Sequence, residues 1–400
     1  MINAKNLEIE YLRALAIVLT VVTHLPTLLP FFNSKFLSLF SVYMPWTGVD
    51  LFFCISGYVV SKSYLEHLDR YREKGLFVVA AQSFWLRRLF RLLPTAWLWI
   101  LVPLVLSLTF NQSGIFGSWF QNLRSLTAVM TFTANLANQY DHMLGPNGVY
   151  WSLALEEQFY FLFPLFLLLV RSWRWRVGVL LGLITMQFAL SRDPFAGPVG
   201  GILFAFRLDA MMWGVILYLI NRTELYRQFE PAFLARSGWA RLLFAGLLVY
   251  LLGAIPGQLI ALPVAVGLVA IVSLLLVGTA SYDKGYLPVP AALSGVLSWL
   301  GSRSYALYVI HICAFRASFE VWHRYAQARG MELGASFTLE LVLTALVMML
   351  LAAELNYRLL EQPLRRKGAE LASRRLAHFS RAQDTRQDST RLTAAIREPA

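Results

Sequence analysis

Ten times between residues 12 and 359 the chain returns to a run of mostly apolar residues, most of them about twenty long, which is the length of helix needed to cross the hydrocarbon core of a bilayer. The runs lie near 12–31, 47–66, 89–110, 149–170, 176–192, 200–221, 239–254, 259–279, 297–318 and 337–359. Four hundred residues would otherwise suggest two or three soluble domains, but with 58% hydrophobic and only 14% charged residues the chain reads as an all-α polytopic membrane bundle. The fifth and seventh runs are short. The stretch 125–140, SLTAVMTFTANLANQY, is too polar to face lipid and is assigned to an interfacial or re-entrant segment. The first run carries Arg13 and His24 and lacks a small-residue cleavage site, so it is kept as a span rather than a removed signal. After residue 368 the sequence turns polar and charged, which divides it into a membrane domain over 1–368 and a mobile cytoplasmic tail over 369–400.

The net charge of +12 is a topology signal. With both termini in the cytoplasm, 27 of the 35 Lys and Arg residues fall on the inner side and six outside, while Arg13 and Arg207 lie within spans. That asymmetry is the positive-inside pattern, and it argues against nucleic acid as the partner of this charge. Cys54 and Cys313 are far apart in apolar runs and offer neither a disulfide framework nor metal-ligand spacing. No repeat of fixed period is visible, which weakens the reading of a transporter built from inverted halves.

Ionisable groups within spans are costly and mark function by default. At about 1.5 Å per residue, His24, Glu156, Arg207 and His311 all fall seven residues below the outer boundary, with Asp209 slightly deeper and Ser56 near the middle of its span. At the inner end Arg13 sits at the mouth of the first span. Arg88 and Arg91 start the third, and three residues apart they share a helix face and offer two guanidinium forks to phosphate oxygens. Arg13 and His24 are three turns apart and face the same way, so one helix face links the two levels. A ligand with a polyanionic head and a thin reactive arm fits that spacing, and acyl-coenzyme A has that shape. Glu157 points about 100° away from Glu156 and is not read as its dyad partner. Arg207 and Asp209 are open to a neutralising role, with each other or with other buried charges.

Several ordered motifs complete the pattern: LRALAIVLTVVTH, GVDLFFCISGYVVSKS, FWLRRLFRLLP, WSLALEEQFYFLFP, FRLDAMMWG, SYALYVIH and a final EQP. In this series, over roughly residues 6–366, the chain resembles the acyltransferase-3 family of integral membrane acyltransferases, which O-acylate bacterial surface polysaccharides and related acceptors. The resemblance implies a ten-span domain of the bacterial inner membrane that takes acyl groups, most simply acetyl, from cytoplasmic acyl-CoA as co-substrate, with no bound cofactor or metal, to a carbohydrate hydroxyl on the outer side, as in O-antigen or exopolysaccharide. It also implies prominence for Arg13, His24, Arg88, Arg91 and Glu156. Some relatives carry a further extracytoplasmic hydrolase-like domain; here about thirty-five polar residues follow the last motif, so a separate transferase partner is an open alternative. The expected division of labour is Arg13, Arg88 and Arg91 on the CoA phosphates, His24 as base toward the acceptor hydroxyl, Glu156 orienting the imidazole, and Arg207, His311, Asp209 and Ser56 contacting acceptor or transition state. An acyl-histidine intermediate is the other route open to His24. The rival classes are a transporter or flippase of glycans, a haem protein ligated by His24 and His311, and a non-catalytic scaffold.

Overall fold

A computed structural model describes residues 6–31, 34–141, 144–188, 190, 192 and 204–397; among them every regular element is helical and no strand occurs. The principal helices are α1 (Leu7–Thr23), α2 (Gly48–Glu73), α3 (Phe77–Thr109), α4 (Trp119–Met130), α5 (Ala134–Asp141), α6 (Tyr150–Leu169), α7 (Trp173–Phe188), α8 (Asp209–Asn221), α9 (Gly238–Leu259), α10 (Ala265–Ser281), α11 (Ala291–Ala328), α12 (Thr338–Asn356) and α13 (Gln362–Arg397). By length and composition four stretches are long and apolar enough to cross a membrane: α3, α6, α9 and the continuous run from Ala335 to Gln383; α8 and α10 are shorter apolar helices. Large apolar side chains stand exposed along one side of several of them, among them Leu98, Leu101, Val105 and Leu108 of α3 and Leu339, Leu343, Leu346 and Leu351 of α12. Such stripes suit lipid and not water.

Close helix crossings hold the interior together. Helices in lipid gain no hydrophobic effect from associating, so small residues that let backbones touch matter more than bulk. At the crossing of α2 and α8, a Cβ on Gly57 would stand 2.1 Å from the Met211 carbonyl oxygen, and one on Gly214 would stand 2.2 Å from that of Cys54. The crossing of α1 and α11 has the same form, with a Cβ on Gly301 falling 2.1 Å from the Glu10 carbonyl oxygen.

Three sequence expectations are corrected here. The first run does not continue as one helix to residue 31: Pro26 cannot donate a backbone hydrogen bond, α1 stops at Thr23, and a separate short turn spans Leu25–Leu28. Arg207 is not on a helix, because Arg207 and Leu208 form a non-helical link and α8 begins at Asp209; most of the segment 189–203 before it lies outside the described residues. The polar tail is helical. After a π-turn at Tyr357–Glu361, α13 runs antiparallel to the N-terminal half of α3, with Gly368 against Phe90, Ser83 Oγ donating to the Ala372 carbonyl (3.3 Å), Arg87 to Ser373 (2.8 Å) and Arg375 to Gln82 (2.8 Å). A 33-residue helix is about 50 Å long, well beyond a hydrocarbon core of about 30 Å, so α3 has a protruding end for α13 to pack on. The polar stretch 125–140 forms the end of α4, a break at Thr131–Thr133 and α5, as two short helices in place of a span.

Candidate active site

Helices α1, α2, α3, α6 and α11 converge on a cavity of about 90 Å³. Each contributes one face, read at helical spacing: Phe52 and Ser56 from α2, Arg88 and Arg91 from α3, Ser152, Glu156 and Tyr160 from α6, Tyr305 and Tyr308 from α11, with Arg13 from α1. Five of the nine residues singled out in the sequence, Arg13, Ser56, Arg88, Arg91 and Glu156, therefore line one space. The Glu156 carboxylate accepts short hydrogen bonds from the Ser56 hydroxyl and the Tyr160 hydroxyl. Arg88 is buried, its guanidinium carbon 4.8 Å from the Tyr160 ring centroid and 5.4 Å from that of Tyr64, while its Nε has no hydrogen-bond partner among the described residues. Arg13 is held by Glu10 at 2.8 Å.

Toward the helix ends that carry Asn6 and Arg365, the cavity meets a vestibule of about 1030 Å³ that shares Arg13, Arg91, Ser304 and Tyr305 with it. Lys62 and Arg365 add two further cations to this vestibule, and Glu10 and Glu361 are its carboxylates. Lys62, Arg365, Tyr160 and Tyr308 were not singled out in the sequence. Tyr160 is legible as the residue four beyond Glu156 on the same helix face, and Tyr308 as the residue three before His311. Arg365 reaches the vestibule through the π-turn, which no local pattern announces.

His24 and His311 do not line the cavity. They meet each other instead, rings 5.0 Å apart between centroids and His311 Nε2 3.2 Å from His24 Nδ1. His311 is fully buried and His24 partly exposed. Between this pair and the cavity stand Phe52 and Tyr308: both line the cavity, they pack edge to face at 6.2 Å, and the Tyr308 ring lies 5.9 Å from His311. The Tyr308 hydroxyl is hydrogen-bonded to Ser152 Oγ (2.5 Å) and to the Val149 carbonyl (3.0 Å). Glu156 does not orient His24, contrary to expectation, because its described hydrogen bonds are those to Ser56 and Tyr160 and the imidazole's are to Thr20 and His311. The haem arrangement does not fit this geometry: axial ligands on opposite faces of an iron, at roughly 2 Å each, stand roughly 4 Å apart, and these nitrogens are 3.2 Å apart.

Arg207 and Asp209 do not neutralise each other and form a separate buried cluster. Arg207 lies 3.5 Å from Asp50 at the start of α2, with its guanidinium packed against Phe204, Trp46 and Trp151 at 4.0, 4.4 and 4.6 Å. Asp209 is bound by Arg192 at 2.6 Å. Glu157 is buried but does not line the cavity; with Trp85, Phe132 and Phe161 it lines a second, mostly apolar groove of about 660 Å³ that shares Arg88 and Tyr160 with the cavity.

The family model described as an acyltransferase domain matches residues 6–353 of the chain. A peptidoglycan O-acetyltransferase, OatA, of Listeria monocytogenes is 26% identical over 385 residues, covering 90% of this chain and 56% of its own. The O-acetyltransferase OatA of Staphylococcus aureus is 26% identical over 388 residues, covering 90% and 57%. The chain thus spans a little over half the length of these curated relatives. No solved structure matches it.

Proposed function

The chain belongs to the acyltransferase-3 family, and from that membership we propose that it is a membrane O-acyltransferase moving an acyl group, most simply acetyl, from cytoplasmic acyl-CoA to a hydroxyl of an extracytoplasmic carbohydrate. The observation that carries this reading is the convergence of Arg13, Arg88 and Arg91 on one cavity that opens through a cationic vestibule. In the proposed arrangement ten spans leave both termini in the cytoplasm of a bacterial inner membrane, so the vestibule faces the cytosol. Lys62, Arg91 and Arg365 meet the nucleotide phosphates, and Arg13 and Arg88 lie along the narrower passage. The pantetheine arm and thioester occupy the cavity beside Glu156 and Ser56.

Transfer joins the two compartments. An acceptor hydroxyl loses its proton to His24, its oxygen attacks the thioester carbonyl, the carbon–sulfur bond breaks, and the CoA thiolate takes a proton on leaving. Phe52 and Tyr308 have to part for the acyl carbon to come within reach of His24, and we assign that movement to the step that commits the bound donor. An acyl-histidine route uses the same imidazole and the same opening. Arg207, held between aromatic rings, is assigned to the acceptor side with Asp209 behind it. The acceptor is placed among surface glycans: the Listeria relative's name specifies peptidoglycan, and O-antigen or exopolysaccharide fit the same chemistry.

The test is mass spectrometry of surface glycans from cells with and without the gene, paired with label transfer from radioactive acetyl-CoA into sealed vesicles containing the purified chain. Loss of an acyl mass increment on deletion, restored by the wild-type gene and not by Arg88→Ala/Arg91→Ala, is the expected result. Glycan movement across vesicles without consumption of acyl-CoA would replace this reading with that of a transporter.

A further inference from the structure

At the end of α1 the chain makes an unusual use of its own last carbonyl groups. A helix leaves its final carbonyls without intrahelical partners. The backbone N–H of His24 turns back to Val21 (3.1 Å), and the Thr20 carbonyl, four residues before, is taken by the imidazole Nδ1 of His24 itself at 2.9 Å. A carbonyl oxygen only accepts, so Nδ1 carries the proton, and in a neutral ring Nε2 then holds the lone pair. The same reasoning applies to His311, whose Nδ1 lies 2.7 Å from the Tyr308 carbonyl and so carries its proton, leaving the Nε2 lone pair toward His24 Nδ1 at 3.2 Å. The two rings therefore interlock in one sense only. The His24 Nδ1–H is shared by the Thr20 carbonyl and the His311 lone pair, and no described carboxylate is hydrogen-bonded to either ring.

We infer that His311 is the positioning residue of His24: it fixes the imidazole with its proton on Nδ1 and its basic nitrogen, Nε2, free, and it accepts from Nδ1–H when Nε2 takes up the acceptor's proton. This is the place a carboxylate fills in a triad. Here a neutral ring fills it; a buried carboxylate needs a partner, and the rings described against His311 besides His24, Tyr308 at 5.9 Å and Phe315 edge-on at 6.0 Å, bring no cation. His311 is fully buried, and its described side-chain hydrogen bonds are those to the Tyr308 carbonyl and to His24, so it acts on the reaction through His24.

The inference rests on the proposed transfer reaction only for its activity arm. The full chain, labelled with ¹⁵N at histidine and placed in nanodiscs, is read by long-range proton–nitrogen correlation, with His24 assigned by its loss in His24→Gln. The expected wild-type spectrum shows a protonated Nδ1 and an unprotonated Nε2 at His24. His311→Leu leaves Nδ1–H with the Thr20 carbonyl alone, and is expected to admit the second tautomer beside the first and to lower kcat by roughly a hundredfold or more with the KM for acetyl-CoA unchanged. In His311→Gln, the amide oxygen can stand in for Nε2, and most of both properties should return. A wild-type His24 protonated on Nε2, or a His311→Leu protein with tautomer and kcat intact, overturns the inference; if His311→Leu does not fold, a nitrogen–nitrogen coupling across the hydrogen bond between His24 Nδ1 and His311 Nε2 in the wild type is the expected result and its absence overturns the inference. The fixed tautomer in a protein without transferase activity would retire the proposed reaction and leave this assignment standing.

Discussion

Asp50 and Arg207 show what a buried charge costs at the scale of single residues. Both side chains are almost wholly buried, and an oxygen of Asp50 and two nitrogens of Arg207 have no hydrogen-bond partner among the described residues, so the pair relies on mutual attraction and on the three aromatic rings around the guanidinium. Removing one member of such a pair strands the other, at about 3–5 kcal/mol. Asp50→Asn should therefore lower the thermal midpoint of the purified protein markedly, and Asp50→Asn/Arg207→Met should recover much of the loss; a double variant no better than the single would show that the pair is not coupled. His24 is the complementary case, since its imidazole is partly exposed and its contacts are few. His24→Ala should insert and melt like the wild type while transferring no acyl group, and ordinary turnover in such a protein would remove His24 from the mechanism. Residue identities of this kind were legible where the helix repeat carries them. Glu156, Ser152 and Tyr160 share a face by spacing alone, but the pairing of Asp209 with Arg192 across a seventeen-residue separation, and of Arg207 with Asp50 rather than its near neighbour, depends on how helices meet.

At the scale of elements, Pro26 shapes the site from outside it. The missing N–H ends α1 early, and the Thr20 carbonyl is left for the His24 imidazole. Pro26→Ala should let the helix run on, give that carbonyl back to a backbone N–H, and leave the ring with His311 in place of two acceptors. The expected outcome is a protein at least as stable as wild type with turnover lower by roughly tenfold or more, measured by melting and by label transfer in parallel; unchanged turnover would mean that the helix end does not set the ring. The crossing of α2 with α8 works differently, through the absence of side chains. Gly57→Leu would push a branched side chain into the Met211 backbone, and the overpacking, at about 1–3 kcal/mol or more, should appear as lost accumulation in the membrane. The long apolar runs were readable from composition and period. The close crossings were not, because a glycine in an apolar run looks the same whether it faces lipid or a partner helix. The terminal helix was missed because a polar, charged sequence reads as a mobile tail until its partner, the protruding end of α3, is known.

For the whole molecule, the central matter is which side of the bilayer each opening faces. In the proposed orientation, argued from the distribution of Lys and Arg, the vestibule with Lys62 and Arg365 faces the cytosol, and Arg329, just past the end of α11, the other side. Cys54 and Cys313 are free and buried, so replacing both by alanine yields a background in which single cysteines report position. A cysteine at position 62 should react with a membrane-impermeant thiol reagent only from the cytosolic face, and acetyl-CoA should slow that reaction, because the phosphates and the reagent compete for the same cationic mouth. That protection should weaken as ionic strength rises from about 0.01 to 0.15 M, where the screening length shrinks from about 30 to about 8 Å. A cysteine at position 329 should react only from the opposite face and be indifferent to acetyl-CoA. Reversed sidedness would invert the direction of transfer, and protection at 329 in place of 62 would put the donor on the acceptor's side. The charge asymmetry that orients the chain during insertion would then also be what draws its anionic donor to the correct end, one set of cations serving both topology and recognition.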